Sequence, residues 1–92
     1  MGTFHEGKGQ LHGITVVVDT DGPEVWVGRC DTMTVDRIVL LGADRHDESE
    51  GASSKQEWIE RVATVGFFPR HDRVVLELGS VISVKRLGEI AA

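Results

Sequence analysis

The chain has one cysteine, no tyrosine and only two prolines among 92 residues. With Cys30 alone, no intramolecular disulfide can form, so packing must hold the fold together and a reducing, cytoplasmic setting is expected. No His or Lys stands beside Cys30 in sequence, and an inert, buried thiol is the expected state. No apolar run approaches the roughly 20 residues that span a membrane. The segment Met1 to Glu6 lacks an apolar signal core, and Glu6 stands where a myristoylation pattern needs Ser or Thr. Positive charge is also scarce: ten Lys and Arg face fifteen Asp and Glu, a net charge of -5. That balance repels phosphate on average and lowers the expectation of nucleic-acid binding.

What remains is a length and composition suited to one small domain. Residues 1 to 10 hold three glycines and no apolar periodicity, and read as a flexible N-terminal tail. Residues 11 to 92 read as a single domain. A domain this small buries a modest share of its surface, so oligomerisation would add stability.

The apolar pattern gives five strands and one helix. A first strand is expected at Gly13 to Asp19, where Val16, Val17 and Val18 favour a pleated surface. Asp21-Gly22-Pro23 supplies a turn. A second strand runs from Glu24 to Thr32, with Gly28 in its middle as a marker of a bend. The third, Arg37 to Gly42, carries Ile38-Val39-Leu40-Leu41, apolar on both faces and therefore covered on both. Asp44 to Ser53 reads as a solvated loop. A helix at about 55 to 65 follows: Ser54 and Glu57 have capping-box spacing, Trp58, Val62 and Val65 form an apolar stripe beside Ile59, and Gly66 ends it. Trp58 on that stripe reads as a core anchor rather than a stacking platform. A fourth strand is expected at Arg73 to Leu78 and a fifth at Val81 to Leu87, joined by a two-residue hairpin at Gly79-Ser80.

Two segments resemble the Sm-like barrel, a variant of the SH3-like barrel. Asp21-Gly22, Val25-Trp26-Val27-Gly28 and Ile38-Val39-Leu40-Leu41 look like its first motif. Leu76 to Val84, with a glycine turn at Gly79, looks like its second. The resemblance covers roughly residues 13 to 87. It implies a mainly β fold: a five-stranded, strongly bent antiparallel SH3-like barrel with one α-helix inserted between strands three and four. It also implies self-association through strand edges, which Sm-like proteins pair between subunits to build rings. The chain departs from the RNA-binding members of the family. The loop Thr32 to Asp36 has the expected Asp but no Asn, and Leu78, not Arg or Lys, precedes Gly79. The nucleotide pocket does not carry over.

The expected function is a non-enzymatic interaction or assembly module, a homo-oligomer whose interface comprises Val75, Leu76, Val81 and Ile82, with another protein as a further candidate partner. Neither catalytic residues nor a cofactor are expected: no nucleophile has motif context, and Gly7-Lys8-Gly9 follows no strand. Two alternatives stand beside it. An RNA-binding Sm-like protein would use Lys85 and Arg86, against the net charge and the missing pocket residues. A metal-binding protein would use His46 and His71, although the spacing among Asp44, His46, Asp47, Glu48, His71 and Asp72 matches no ligand motif and a solvated loop is favoured. Phe67-Phe68, before Pro69, is favoured as core; an exposed ring there would mark a partner contact.

Overall fold

A computed structural model describes residues 11–51 and 53–90; the expected tail over residues 1 to 10 lies outside them. The elements in order are β1 (Thr15–Thr20), β2 (Glu24–Met33), β3 (Arg37–Asp47), α1 (Lys55–Val65), β4 (His71–Glu77), a 3-10 turn at Leu78–Ser80, β5 (Val81–Arg86) and a short helix α2 (Leu87–Ile90). The fold is mainly β, and all five strands join one antiparallel sheet in the order β4-β3-β2-β1-β5.

The expected β4–β5 hairpin does not form. These strands lie at opposite edges of the sheet, and Gly79-Ser80 belongs to the 3-10 turn. Strand direction explains why. Each sheet neighbour is antiparallel, so β4 and β5, both antiparallel to β1 in sense, run the same way. A two-residue hairpin makes antiparallel neighbours, and parallel neighbours need a crossover of a dozen residues or more. The three-residue turn can therefore only carry the chain round a corner. Because it links the two edges, the sheet must curl until they approach at that end. Leu78 N–H donates to Asp36 O at 2.9 Å and Asp21 N–H to Ser80 O at 2.9 Å, pinning the corner to both neighbouring turns. Hydrogen bonding leaves the sheet open, since no ladder joins β4 to β5.

Gly28 sets much of the curl. A Cβ built there would stand 2.9 Å from the Ala43 Cβ and 3.2 Å from the Leu40 Cβ. The β2–β3 register shifts across Gly28 itself, between Val27 and Arg29, and again between Cys30 and Thr32. Such irregularities bend a strand and increase its twist.

The strand alternation divides the core into two layers. Val16, Val18, Cys30, Ile38, Leu40 and Ala43 fill the inner one, with Trp26, Val74, Leu76, Leu78, Val81 and Val84 packed around them. On the other face, Val17, Val25 and Val27 meet Trp58, Ile59 and Val62 of α1. The apolar face of β1 and β2 is thus covered by the helix, as period-two and period-3.6 patterns require when they meet.

Helix α1 begins as its sequence dictates. Glu57 N–H donates to Ser54 Oγ at 3.1 Å and Ser54 N–H to Glu57 Oε1 at 3.0 Å, closing the capping box. At the far end Gly66, with φ of 90°, donates to Val62 O at 2.8 Å. Lys55 fastens the first turn to the β1–β2 corner: its ammonium donates to Asp19 Oδ1 at 2.7 Å, Thr20 O at 2.9 Å and Gly22 O at 2.6 Å. All three ammonium hydrogens are thereby satisfied.

Several expectations are corrected: β4 begins at His71 rather than Arg73, and Leu87 opens α2 rather than ending β5. β3 continues to Asp47, so Asp44 and His46 sit on a strand rather than in a loop. Val65, placed on the apolar stripe by spacing, is exposed and takes no part in the helix-side layer.

Candidate functional site

Open edges are the feature that a five-stranded sheet of this order cannot avoid. β4 and β5 each pair on one side only, leaving backbone donors and acceptors on the other. Each edge also turns an aliphatic side chain to solvent: Val75 is 44% exposed and Ile82 is 63% exposed. Ile82 stands out because β5 bulges there; Ser83 pairs with Asp19 and Val81 with Thr20, leaving Ile82 unmatched. The other two expected interface residues, Leu76 and Val81, turn inward and pack on the inner core. Charge differs between the edges. β4 carries Asp72 and Glu77 with Arg73, whereas β5 ends in Lys85 and Arg86. Arg86 contacts Glu89 at 3.5 Å, an exposed pair that holds it weakly.

The corner brings together the two segments that carry the family resemblance. Val35, Asp36 and Arg37 face Glu77, Leu78 and Gly79 across an open depression of about 520 Å³. Its chemistry does not suit a nucleotide. Thr34 donates to Asp36 Oδ1 at 2.7 Å and, aided by the charge of Arg37, holds that carboxyl below its usual range. The carboxylates of Asp36 and Glu77 outnumber the one guanidinium, Arg37, lining the depression, and the Leu78 side chain offers no donor.

The two histidines are not brought together. His46 stacks on Trp58 of α1 with ring centroids 5.3 Å apart at 11°, and its Nε2 lies 2.9 Å from Ser53 O. His71 meets Trp26 edge-on at 5.5 Å. Trp58 belongs to the helix-side layer and Trp26 packs on the inner one. Asp44 is buried and accepts from Arg70 Nη1, which is 3.1 Å from each carboxylate oxygen, and from the Arg45 N–H at 2.9 Å. Asp47 accepts from Ser49, which holds its carboxyl below the usual range, with Arg45 adding to the effect. Among the described residues no group of three or more His, Cys, Asp or Glu side chains is arranged to hold a metal.

Cys30 is 1% exposed in the inner core, and burial, aided by the neighbouring Asp31, pushes its thiol above the usual range. A thiol both inaccessible and protonated should be slow to react. We expect labelling by a maleimide at neutral pH to be negligible in the native protein and complete in denaturant. Rapid native labelling would show that the inner layer opens.

The tandem phenylalanines separate. Phe67 is half-buried against the helix-side layer, while Phe68 is 73% exposed with the Arg70 guanidinium 5.8 Å from its ring centroid. Sequence reasoning missed the row formed by Arg29, Leu41 and Arg73, which exists only through the registers of three strands. No helix among the described residues is long and apolar enough to cross a membrane. No protein-family model matches the chain, and no curated protein matches it.

Proposed function

We propose that this chain is a non-enzymatic assembly module, a small β-barrel of the SH3-like and Sm-like kind, which associates with copies of itself through β4 and β5. The observation that carries the reading is the pair of open edges, each with an outward aliphatic residue, Val75 on one and Ile82 on the other. Exposed edges invite a further strand unless they are covered or blunted. The curl supports the barrel, because the two edges meet at a three-residue corner. The charges support pairing of unlike edges: Asp72 and Glu77 of β4 complement Lys85 and Arg86 of β5. Joining unlike edges is a head-to-tail contact, which builds a ring when the rotation closes and a filament when it does not. The lone buried thiol fits a reducing compartment, and we place the module in the cytoplasm.

The test is absolute mass by light scattering after size exclusion. The wild type should form a discrete oligomer of 10.1 kDa subunits. Val75→Lys and Ile82→Lys should each give monomers, since either change replaces an outward aliphatic side chain with an ammonium that the joint would have to desolvate. Mixed together, the two variants should form a one-to-one pair, because each keeps the edge the other lacks. A wild-type monomer, or variants with unaltered mass and an intact fold, would refute the reading.

A further inference from the structure

The helix-side face of the sheet holds a cavity in the corner between β1 and β5. Strand register builds its walls: Val17 of β1 is opposite Lys85 of β5, and Asp19 is opposite Ser83. Their chain neighbours Val16, Val18 and Val84 turn into the inner core, so alternation puts these four on the face that α1 covers. The helix does not fill the corner. Gln56 and Ile59, one turn apart on α1, border a space of about 160 Å³ there, and Ile90 of α2 completes its lining.

The lining divides by chemistry. Val17 and Ile59 are buried, and Ile90 packs against the same helix-side layer. Gln56 and Lys85 are exposed, so polar groups stand at the mouth of an apolar floor. The charge available there is positive. Asp19, the one carboxylate in the lining, accepts from the Lys55 ammonium at 2.7 Å and is neutralised by it. The Lys85 ammonium has no carboxylate partner among the described residues. Ser83, on the same face of β5, adds a hydroxyl that can donate.

We infer that this cavity binds a small aliphatic carboxylate, with its hydrocarbon body on Val17, Ile59 and Ile90 and its carboxylate held by Lys85 and Ser83. Size sets the length of the body. A dry cavity of about 150 Å³ takes benzene, so a chain of about four to six carbons fits. The walls favour an aliphatic body, since no aromatic ring lines the space. Charge decides the head group. An α-amino acid would bring an ammonium towards Lys85 and find Asp19 already paired. Inorganic phosphate would satisfy the ammonium and leave the apolar floor unused. A carboxylate on a short chain uses both, and a charge-assisted hydrogen bond from an ammonium is about twice as strong as a neutral one. The site stands independently of self-association, since every residue in it belongs to one chain.

Isothermal titration calorimetry of the full chain with pentanoate tests the assignment, and the methyl resonances of Ile59 and Ile90 followed by NMR locate the ligand. Pentanoate should saturate one site per chain with a dissociation constant of about 1 mM or tighter. Affinity should rise about fourfold per methylene from propanoate to pentanoate, the effect of burying each CH₂, and stop rising at octanoate, which outgrows the cavity. Lys85→Met keeps the aliphatic stem and removes the charge. It should weaken pentanoate at least about tenfold and leave the weaker binding of 1-pentanol unchanged, while Lys85→Arg should retain most of the affinity. Lys85 is exposed, and thermal melts matching the wild type confirm that these variants fold. Val75→Lys, on the opposite edge of the sheet, should bind pentanoate as the wild type does, whether or not copies of the chain associate. No saturation by about 10 mM pentanoate would overturn the inference. So would acetate or inorganic phosphate binding as tightly as pentanoate, Ile59 and Ile90 methyls that do not shift, or affinity indifferent to Lys85→Met. Loss of binding in a folded Val75→Lys would overturn a site contained in one chain.

Discussion

Replacing Gly28 by valine is expected to lower the stability of the fold sharply. The site has no room for a Cβ: one built there stands 2.9 Å from the Ala43 Cβ, 3.1 Å from the Ala43 Cα and 3.2 Å from the Leu40 Cβ. These are backbone or first side-chain atoms, which no rotamer change can move. Relief would require β2 and β3 to separate where their ladder is already irregular. Overpacking a core commonly costs about 1–3 kcal/mol, and a branched residue against backbone should cost at least about 3 kcal/mol. A domain of this length has roughly 5–14 kcal/mol in hand. Each kcal/mol lowers the melting temperature by about 4–8 °C in a domain of this size, so Gly28→Val should melt at least about 12 °C below the wild type by circular dichroism. Gly28→Ala, with one methyl group to place, should fall between. A valine variant melting within a few degrees of the wild type would mean that the two strands do not pack as tightly as described.

That glycine was legible in the sequence as a bend, and so was much of the local structure. The valine run of β1, the apolar run of β3 and the capping box of α1 are short-range signals, and each lies within an element close to the one it announces. Pairing is another matter. Gly79-Ser80 has the residues of a hairpin turn, yet whether β4 and β5 can pair is decided by the senses of three intervening strands. The polar run from Asp44 to Ser53 reads as solvent-exposed, but Asp44 is buried because its partner, Arg70, arrives from 26 residues away. Val65 follows the helical stripe faithfully and is exposed, because periodicity alone does not tell which residues of a stripe meet the sheet. The candidate sites divide along the same line. Alternation points Val75 outward on β4, whereas the Arg29–Leu41–Arg73 row depends on registers that no single segment contains.

Removing Trp58 gives the second large effect. Its side chain is 8% exposed, stacks on His46 and packs with Val17, Val25 and Val27, so it is the largest apolar contact between α1 and the sheet. Trp58→Ala should cost about 3–5 kcal/mol, the transfer energy of the ring together with the cavity it leaves. The rest of the helix attachment cannot compensate. Lys55 and the capping box hold only its first turn, and Ile59 and Val62 are too small to cover the valines alone. Urea unfolding should therefore show a lower midpoint, and the native baseline should bind a hydrophobic dye as Val17, Val25 and Val27 become accessible. Trp58→Phe keeps a ring against His46 and should lose much less. His46→Ala separates the stack from the burial: it removes the ring partner but leaves Trp58 on the valines, so it should cost less than Trp58→Ala. If Trp58→Ala instead unfolded within about 1 kcal/mol of the wild type, far below the cost of truncating a packed aromatic ring, the indole would be dispensable to the fold. Its stacked geometry with His46 would then have to be explained by a ligand stacking there rather than by the packing of the helix.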